Sequence, residues 1–452
     1  MFRKSLLTAG VLLAGWQGSL QAAEPEFFLR NNDRIVFLGD GITDQRLYTS
    51  YIEAYALTRF PTWNLFFRNA GEGNDTAWLR QRSSHEADSV LFAATGTAQQ
   101  AMVEKLVGAG LARDVLPLKP TVVTLDFGLF DHNLQAFRED IFKAYVRSQT
   151  ELVKVLKANG ARVALLTPLP IEERRPDPDQ DVRNQSLKRF AVGLRAVAAV
   201  QDVLFVDRFN LYLAILVRER AAKSDAFVSG CEAVHRGKAG HLLMAWMILK
   251  RMGAPALVAS AEFDVVWFLP NKLVKARQCQ VQNVKYAKGV LSFDRLAAAL
   301  PMPIDDRAGP ALKMAPILDD LNRDDLKIAG LRADRYEVVI DGEVVATVAA
   351  DDLAKGWNLA SVVTPDTRQA DDVLRWVYNK NGFYSRWRDI RMNGGTPEQL
   401  AEPEREIAIN ETRINTARQL KSRHFEVRPV KQPENAPLKS ETLAPRLFRF
   451  SS

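Results

Sequence analysis

Cysteine is scarce: Cys231 and Cys279 are the two in 452 residues. A scaffold stapled by several disulfides is therefore excluded. A single Cys231–Cys279 bridge is chemically permissible in an exported chain, but sequence alone cannot bring two thiols within bonding distance. Two separate thiols, one or both buried, is the simpler expectation. Long apolar runs are also missing after the N-terminus, so no later segment is expected to span a bilayer. Dense basic runs are absent too. The net charge of +7 is modest and spread along the chain. A mild excess near the end (Arg413, Arg418, Lys421, Arg423, Arg428, Lys431) falls short of a nucleic-acid groove. Charge reads as solubility first and an anionic partner second, with no nucleic acid. Internal repeats are not found. Apolar residues make up 47% and charged residues 25%, which is ordinary for a globular chain and argues against wholesale disorder.

The N-terminus carries Arg3 and Lys4, then a short apolar run from Ser5 to Trp16, then Ser19-Leu20-Gln21-Ala22-Ala23. Charge, apolar stretch and small residues in that order are the layout of a secretory signal peptide. Residues 1–23 are expected to be removed and the mature chain exported, to the periplasm or outside the cell, with no transmembrane segment left.

The length predicts two or three units. Arg34–Leu38, Trp63–Arg68, Thr121–Leu125, Val163–Leu166 and Val203–Val206 read as short apolar strands without strict alternation. Helical patterns lie between them, at Leu47–Arg59, Ile141–Asn159, Gln185–Ala199 and Phe209–Arg218. Unalternating strands separated by helices imply a parallel sheet covered on both faces, a three-layer α/β/α unit over residues 24–261. Ligands in such sheets sit beyond the carboxyl ends of the strands. That directs attention to Asp40, Asn69 and the segment after Leu125. Residues 262–350 read as a small β-rich module, with Asp341-Gly342 turning a hairpin between two β-branched runs. Residues 351–428 read as a helical extension, and 429–452 as a poorly ordered tail.

Four strand-end segments carry the chemistry. Leu38-Gly39-Asp40-Gly41, Asn69-Ala70-Gly71-Glu72-Gly73-Asn74, Gly128-Leu129-Phe130-Asp131 and Glu232-Ala233-Val234-His235 with Gly240-His241 follow one another in order. Together they resemble the four blocks of the SGNH/GDSL hydrolase (esterase/lipase-like) family, whose fold is flavodoxin-like. The resemblance covers about Phe28 to Ala254, and the C-terminal half is similar to extensions of large exported bacterial members. In that family a serine attacks an ester carbonyl, a histidine oriented by an aspartate activates it, and backbone N–H groups with an asparagine hold the oxyanion.

Carried over position by position, the resemblance implies a damaged site. The serine position is Gly41, which has no nucleophile. The oxyanion glycine is Asn74, which keeps its N–H. The oxyanion asparagine is Phe130, which cannot donate. The histidine is kept as His235, and the aspartate becomes Glu232. Losing the nucleophile of such a triad costs about a millionfold in turnover, roughly 8 kcal/mol. No cofactor is implied. Asp40, Asp131, Glu232 and His235 together are weak evidence for a metal.

Blander roles stand beside these. Asp40 caps the helix after the first strand, and Phe130 fills a vacated substrate volume. Phe127, Phe130 and Trp78 are core residues rather than a sugar platform. Thr43 and Cys231 are weak substitutes for a nucleophile, and His132 is a further residue that could face the pocket. Three functions follow. The first is a catalytically impaired, exported protein that binds a carbohydrate or ester ligand or takes part in envelope assembly with a protein partner. The second is an active acyl or acetyl esterase using His235 and a non-standard nucleophile. The third is an interaction protein working through its C-terminal helices on an independent core.

Overall fold

A computed structural model describes residues 26–83, 88–173, 177–229, 237–265 and 272–430. The first unit alternates strand and helix. Its elements are β1 (Arg34–Gly39), α1 (Gly41–Asp44), α2 (Leu47–Arg59), β2 (Phe66–Gly71), α3 (Asp88–Ala93), α4 (Gly96–Asp114) and β3 (Val122–Asp126). They continue with α5 (Glu139–Ala158), β4 (Arg162–Leu166), α6 (Val182–Gln201), β5 (Leu204–Val206), α7 (Arg208–Ala222) and α8 (Lys238–Arg251). All five strands are parallel, in the order β2-β1-β3-β4-β5. That is the flavodoxin-like doubly wound order, whose topological switch lies between β1 and β3.

Burial explains the unalternating strands. Every residue of β3 is buried, because helices cover both faces of the sheet. Ile35 and Phe37 of β1 face one core with residues of α2, α7 and α8. Val36 and Leu38 face the other, with residues of α4, α5 and α6. Alternate residues of a strand point to opposite faces, so a continuous apolar run feeds both cores.

The second unit is a β-sandwich. It contains β6 (Leu257–Asp264), β7 (Lys272–Arg277), β8 (Cys279–Ala287), β9 (Val290–Ala297), α9 (Ala311–Met314), α10 (Ile317–Leu321), β10 (Arg323–Ala329), β11 (Arg335–Ile340) and β12 (Glu343–Ala349). It also takes α11 (Ala350–Lys355) and β13 (Trp357–Asn358). Two helices, α12 (Pro365–Met392) and α13 (Pro397–Ala417), precede a last strand, β14 (Arg423–Pro429). The sheets run β13-β10-β6-β7 and β12-β11-β14-β9-β8 and share one apolar core. Asp341 and Gly342 both adopt positive φ in the hairpin between β11 and β12, as Asp-Gly predicts.

The sandwich departs from the sequence reading at its end. The expected helical extension, 351–428, holds two helices, but its last stretch is a strand. Phe425 and Val427 alternate into the core between β9 and β11, where a helix would leave the sheet split. Helices α12 and α13 each begin with a capping box, Thr364 with Thr367 and Thr396 with Gln399, followed by proline at the first turn. Neither helix is a free arm. Lys380 of α12 pairs with Glu53 of α2, both side chains 3% exposed. Among the C-terminal cations, Arg413 lies over Trp376, Arg423 pairs with Asp366 at 2.7 Å and Arg428 with Glu337 at 2.9 Å. Cys279 donates to the Ser260 carbonyl at 3.4 Å, while Cys231 lies outside the described residues. Residues 1–25 and the tail from 431 also lie outside them. No helix among the described residues is long and apolar enough to cross a membrane.

Candidate active site

The sheet register assembles the site. Gly39, at the carboxyl end of β1, stands opposite Gly71 of β2 and Asp126 of β3. Two backbone bonds extend these pairings, Glu72 N–H to the Gly39 carbonyl at 3.0 Å and Asp40 N–H to the Asp126 carbonyl at 3.1 Å. The first three blocks therefore meet at the switch point.

Asp40 caps α1, accepting from the Ile42 N–H at 2.9 Å. Gly41 follows, and the Phe130 ring lies over it. A Cβ built on Gly41 would meet Phe130 Cε2 at 3.3 Å and Cζ at 3.4 Å, with Gly73 Cα at 3.8 Å. A side chain at this position would meet the edge of the aromatic ring. Asn74 is exposed and left-handed, at φ 56°. Asparagine is among the side chains that best tolerate that conformation, which explains its replacing glycine without breaking the turn.

Gly128 has φ 125°, and a Cβ there would sit 3.0 Å from Pro168. Glycine is required at that close approach. Asp131 turns back beneath the loop and accepts from the N–H groups of Gly128 and Ala77, each at 2.8 Å. It ties the third block to the second. Burial pushes the Asp131 carboxyl up to about 7, against the lowering effect of those two donors. Asp40 is raised well above the usual carboxylate range, first by burial and then by Asp126 nearby. Asp126 itself is held by Arg208, which donates Nη1 to Oδ2 at 2.9 Å and Nη2 to Oδ1.

Several sequence candidates are displaced from the chemistry. Thr43 is fully buried and bonded to the Tyr48 hydroxyl at 2.9 Å, so it is no substitute nucleophile. Phe127 and Trp78 are wholly buried and present no face to a sugar. His132 is buried against Phe190 rather than lining the cleft. Behind Phe130 a cavity of about 90 Å³ remains, lined by Trp78, Arg80, Asp131 and Arg138 among others. A larger groove, about 610 Å³, opens at the opposite, amino ends of β4 and β5, near Arg162 and Leu204. It contains none of the block residues, and the strand-end rule favours the smaller space.

Glu232 and His235 lie outside the described residues. The chain on either side of them is well held. Glu172, fully buried, accepts from the backbone N–H groups of Val228 and Ser229 and from the Tyr212 hydroxyl at 3.0 Å. The Gly237 N–H donates to the Ser229 carbonyl at 3.0 Å. His241, at the start of α8, packs parallel to Tyr48 and reaches Gln45 at 2.9 Å, which docks α8 beside the first block. Among the described residues no group of three histidine, cysteine or carboxylate side chains is arranged to hold a metal.

Residues 37–243 match the family model described as GDSL-like lipase/acylhydrolase. That segment, a little under half of the chain, is similar to the SGNH/GDSL hydrolases. Its similarity to solved structures extends further. A gut microbial diltiazem-metabolizing enzyme is 24% identical, with 89% of this chain and 98% of that one covered at a TM-score of 0.74. At that identity it shows that the fold, C-terminal region included, is shared. An acetylxylan esterase from Geobacillus stearothermophilus is 19% identical over 50% of this chain and 97% of its own, at a TM-score of 0.39. No curated protein matches the sequence. Within this scaffold, sequence reasoning missed the buried arginines. Arg82, Arg208 and Arg388 carry no motif, and only the structure shows them fully or almost fully buried against carboxylates.

Proposed function

We propose that this chain is an exported SGNH-fold protein that binds a ligand at the strand ends without performing the family's ester hydrolysis. The observation that carries the reading is the Phe130 ring over Gly41. It combines a missing nucleophile with an apolar group at the position of an oxyanion donor, and each loss alone is severe. Among the described residues around it, glycine at 128, the capping Asp40 and the loop-tying Asp131 keep the frame of the first and third blocks in place. An intact frame with a vacant attack position favours recognition over turnover. The cavity behind Phe130 accommodates only a few water-sized groups. That favours a ligand lying across the strand ends, such as an acylated or glycan surface of the cell envelope. Export rests on the signal-like residues 1–23.

The test is hydrolysis of a small chromogenic acetate by the mature chain beside its His235→Ala variant. Equal, background-level rates are expected. Turnover by the unaltered chain that disappears with His235 would replace this reading with a working esterase.

A further inference from the structure

Helix α12 sends polar side chains out of its own surface and into the α/β unit. Asn381 donates to Ser50 Oγ and Glu53, each at 3.0 Å, beside the Lys380–Glu53 pair. Arg388 reaches further, to the second block. Its Nη1 donates to the Gly71 carbonyl at 2.8 Å, its Nη2 to Glu72 at 2.8 Å and to Asp114 at 2.7 Å, and its Nε to Asp114 at 3.1 Å. Its side chain is 5% exposed. Asp114 is shared with Arg82, which also holds Asp75 at 2.7 Å and the Ala70 carbonyl. Burial acts to lower the Arg388 pKa, but Asp114 and Glu72 outweigh it, so the guanidinium stays charged.

These contacts surround one turn. Gly71 ends β2, and residues 72–75 pass over the capped start of α1, with Gly73 beside Gly41. Within the turn, the Glu72 N–H donates to the Gly39 carbonyl, the Asp75 N–H donates to the Glu72 carbonyl, and Asn74 stands in the left-handed region. From outside, Arg80 Nε holds the Asn74 carbonyl at 2.7 Å, and Arg388 holds Gly71 and Glu72. A planar guanidinium can satisfy a carbonyl and two carboxylates at once, whereas a lysine ammonium lacks that fork.

We propose that Arg388 is a positioning residue for the cleft, holding the second-block turn against Gly41 from a helix more than 300 residues away in sequence. The candidate cleft is thus built by both units. This rests on the strand-end location of the site, and it stands whether that site turns substrate over or only binds.

The rival explanation is that Arg388 merely glues α12 to the core, as Lys380 does. Hydrogen–deuterium exchange on the full mature chain separates the two. Arg388→Met is expected to speed exchange at residues 72–76 tenfold or more, while the sandwich strands keep their protection. Arg388→Lys, the milder change, is expected to give a smaller acceleration at the same residues. The comparator is the double variant Glu53→Gln, Lys380→Met, which removes the other buried ion pair of α12 without stranding a charge and should leave residues 72–76 at the native rate. Unchanged exchange in both Arg388 variants would overturn the proposal. So would equal acceleration in the Glu53/Lys380 comparator. Should Arg388→Met not fold, Arg388→Lys against that comparator decides the matter alone. The acetate assay above can fail independently, because this readout contains no turnover.

Discussion

A serine at position 41 would have to share space with Phe130. The backbone does not forbid it, since Gly41 is not among the glycines at positive φ. Its Cβ would approach the ring at 3.3 and 3.4 Å, so the half-buried ring must yield by a few tenths of an ångström. Overpacking of that degree costs about 1 kcal/mol, and Gly41→Ser should therefore fold. Chemistry is another matter. Under the proposed reading, a regained nucleophile offers up to about 8 kcal/mol, but the Phe130 ring still covers the hydroxyl and takes the place of a side-chain donor to the oxyanion. One such donor is worth about 3–4 kcal/mol, or a hundred- to thousandfold. Gly41→Ser alone is expected to stay within about tenfold of background on a chromogenic acetate. Gly41→Ser with Phe130→Asn should exceed the single variant at least about a hundredfold. His235→Ala in the double variant should return it to background. Removing the partly buried ring should cost about 2 kcal/mol, so thermal unfolding must accompany each rate to show that an inactive variant is folded. If Gly41→Ser alone matched the double variant, Phe130 would not be the obstruction, and the reasoning from its position would fail.

Three further outcomes follow from buried groups. Asp131 keeps its proton in the folded chain up to about 7, whereas the unfolded carboxyl loses it near 3.8. The folded state holds the extra proton between those values, so stability falls as pH rises from about 4 to about 7, by up to about 4 kcal/mol. Asp131→Asn should be less stable throughout, having one acceptor fewer for two N–H groups, but its urea midpoint should vary less across that window. His132 has the opposite sign. Burial lowers it to about 4, so stability falls as pH drops from about 6.5 to about 4. Neither ring nitrogen closes a hydrogen bond among the described residues, although the Gln135 backbone lies near enough to favour the charged form. His132→Leu should gain about 1–2 kcal/mol at pH 5 relative to pH 8 in the same urea measurement. Lys380→Met strands the buried Glu53 and should cost about 3–5 kcal/mol, most of it recovered when Glu53→Gln is added; denaturant unfolding of both variants checks this.

How far the sequence could be read depended on how local each signal was. Strands β1, β3, β4 and β5 were legible because a doubly covered parallel strand needs an unbroken apolar run, and such runs are local. The second strand was read too early, at Trp63–Arg68. Trp63 instead stacks on Phe60 at 3.9 Å, and the strand begins at Phe66. Gly41 and Phe130 were legible as residues just past the ends of strands, but nothing in their spacing said that the Phe130 ring lies over Gly41. The buried arginines were illegible for a deeper reason. A charged residue reads as surface until its partners are known, and those of Arg388 lie at positions 71, 72 and 114. The strand β14 hid behind a helix rich in glutamate and arginine. Its signal was the alternation of Phe425 and Val427, too short to outweigh the helical pattern before it.

That strand also sets an order in time. β14 is an interior member of its sheet, with β11 on one side and β9 on the other. Until residues 423–429 arrive, the sheet exists as two separate hairpins, each with an open edge. Pairing across more than 120 residues of intervening chain is slow compared with local closure, and open edges invite partners from other chains. Folding of the sandwich is therefore a late event that waits for nearly the whole described chain. Because α12 precedes β14 and bears Arg388, the wall of the cleft is among the parts completed near the end.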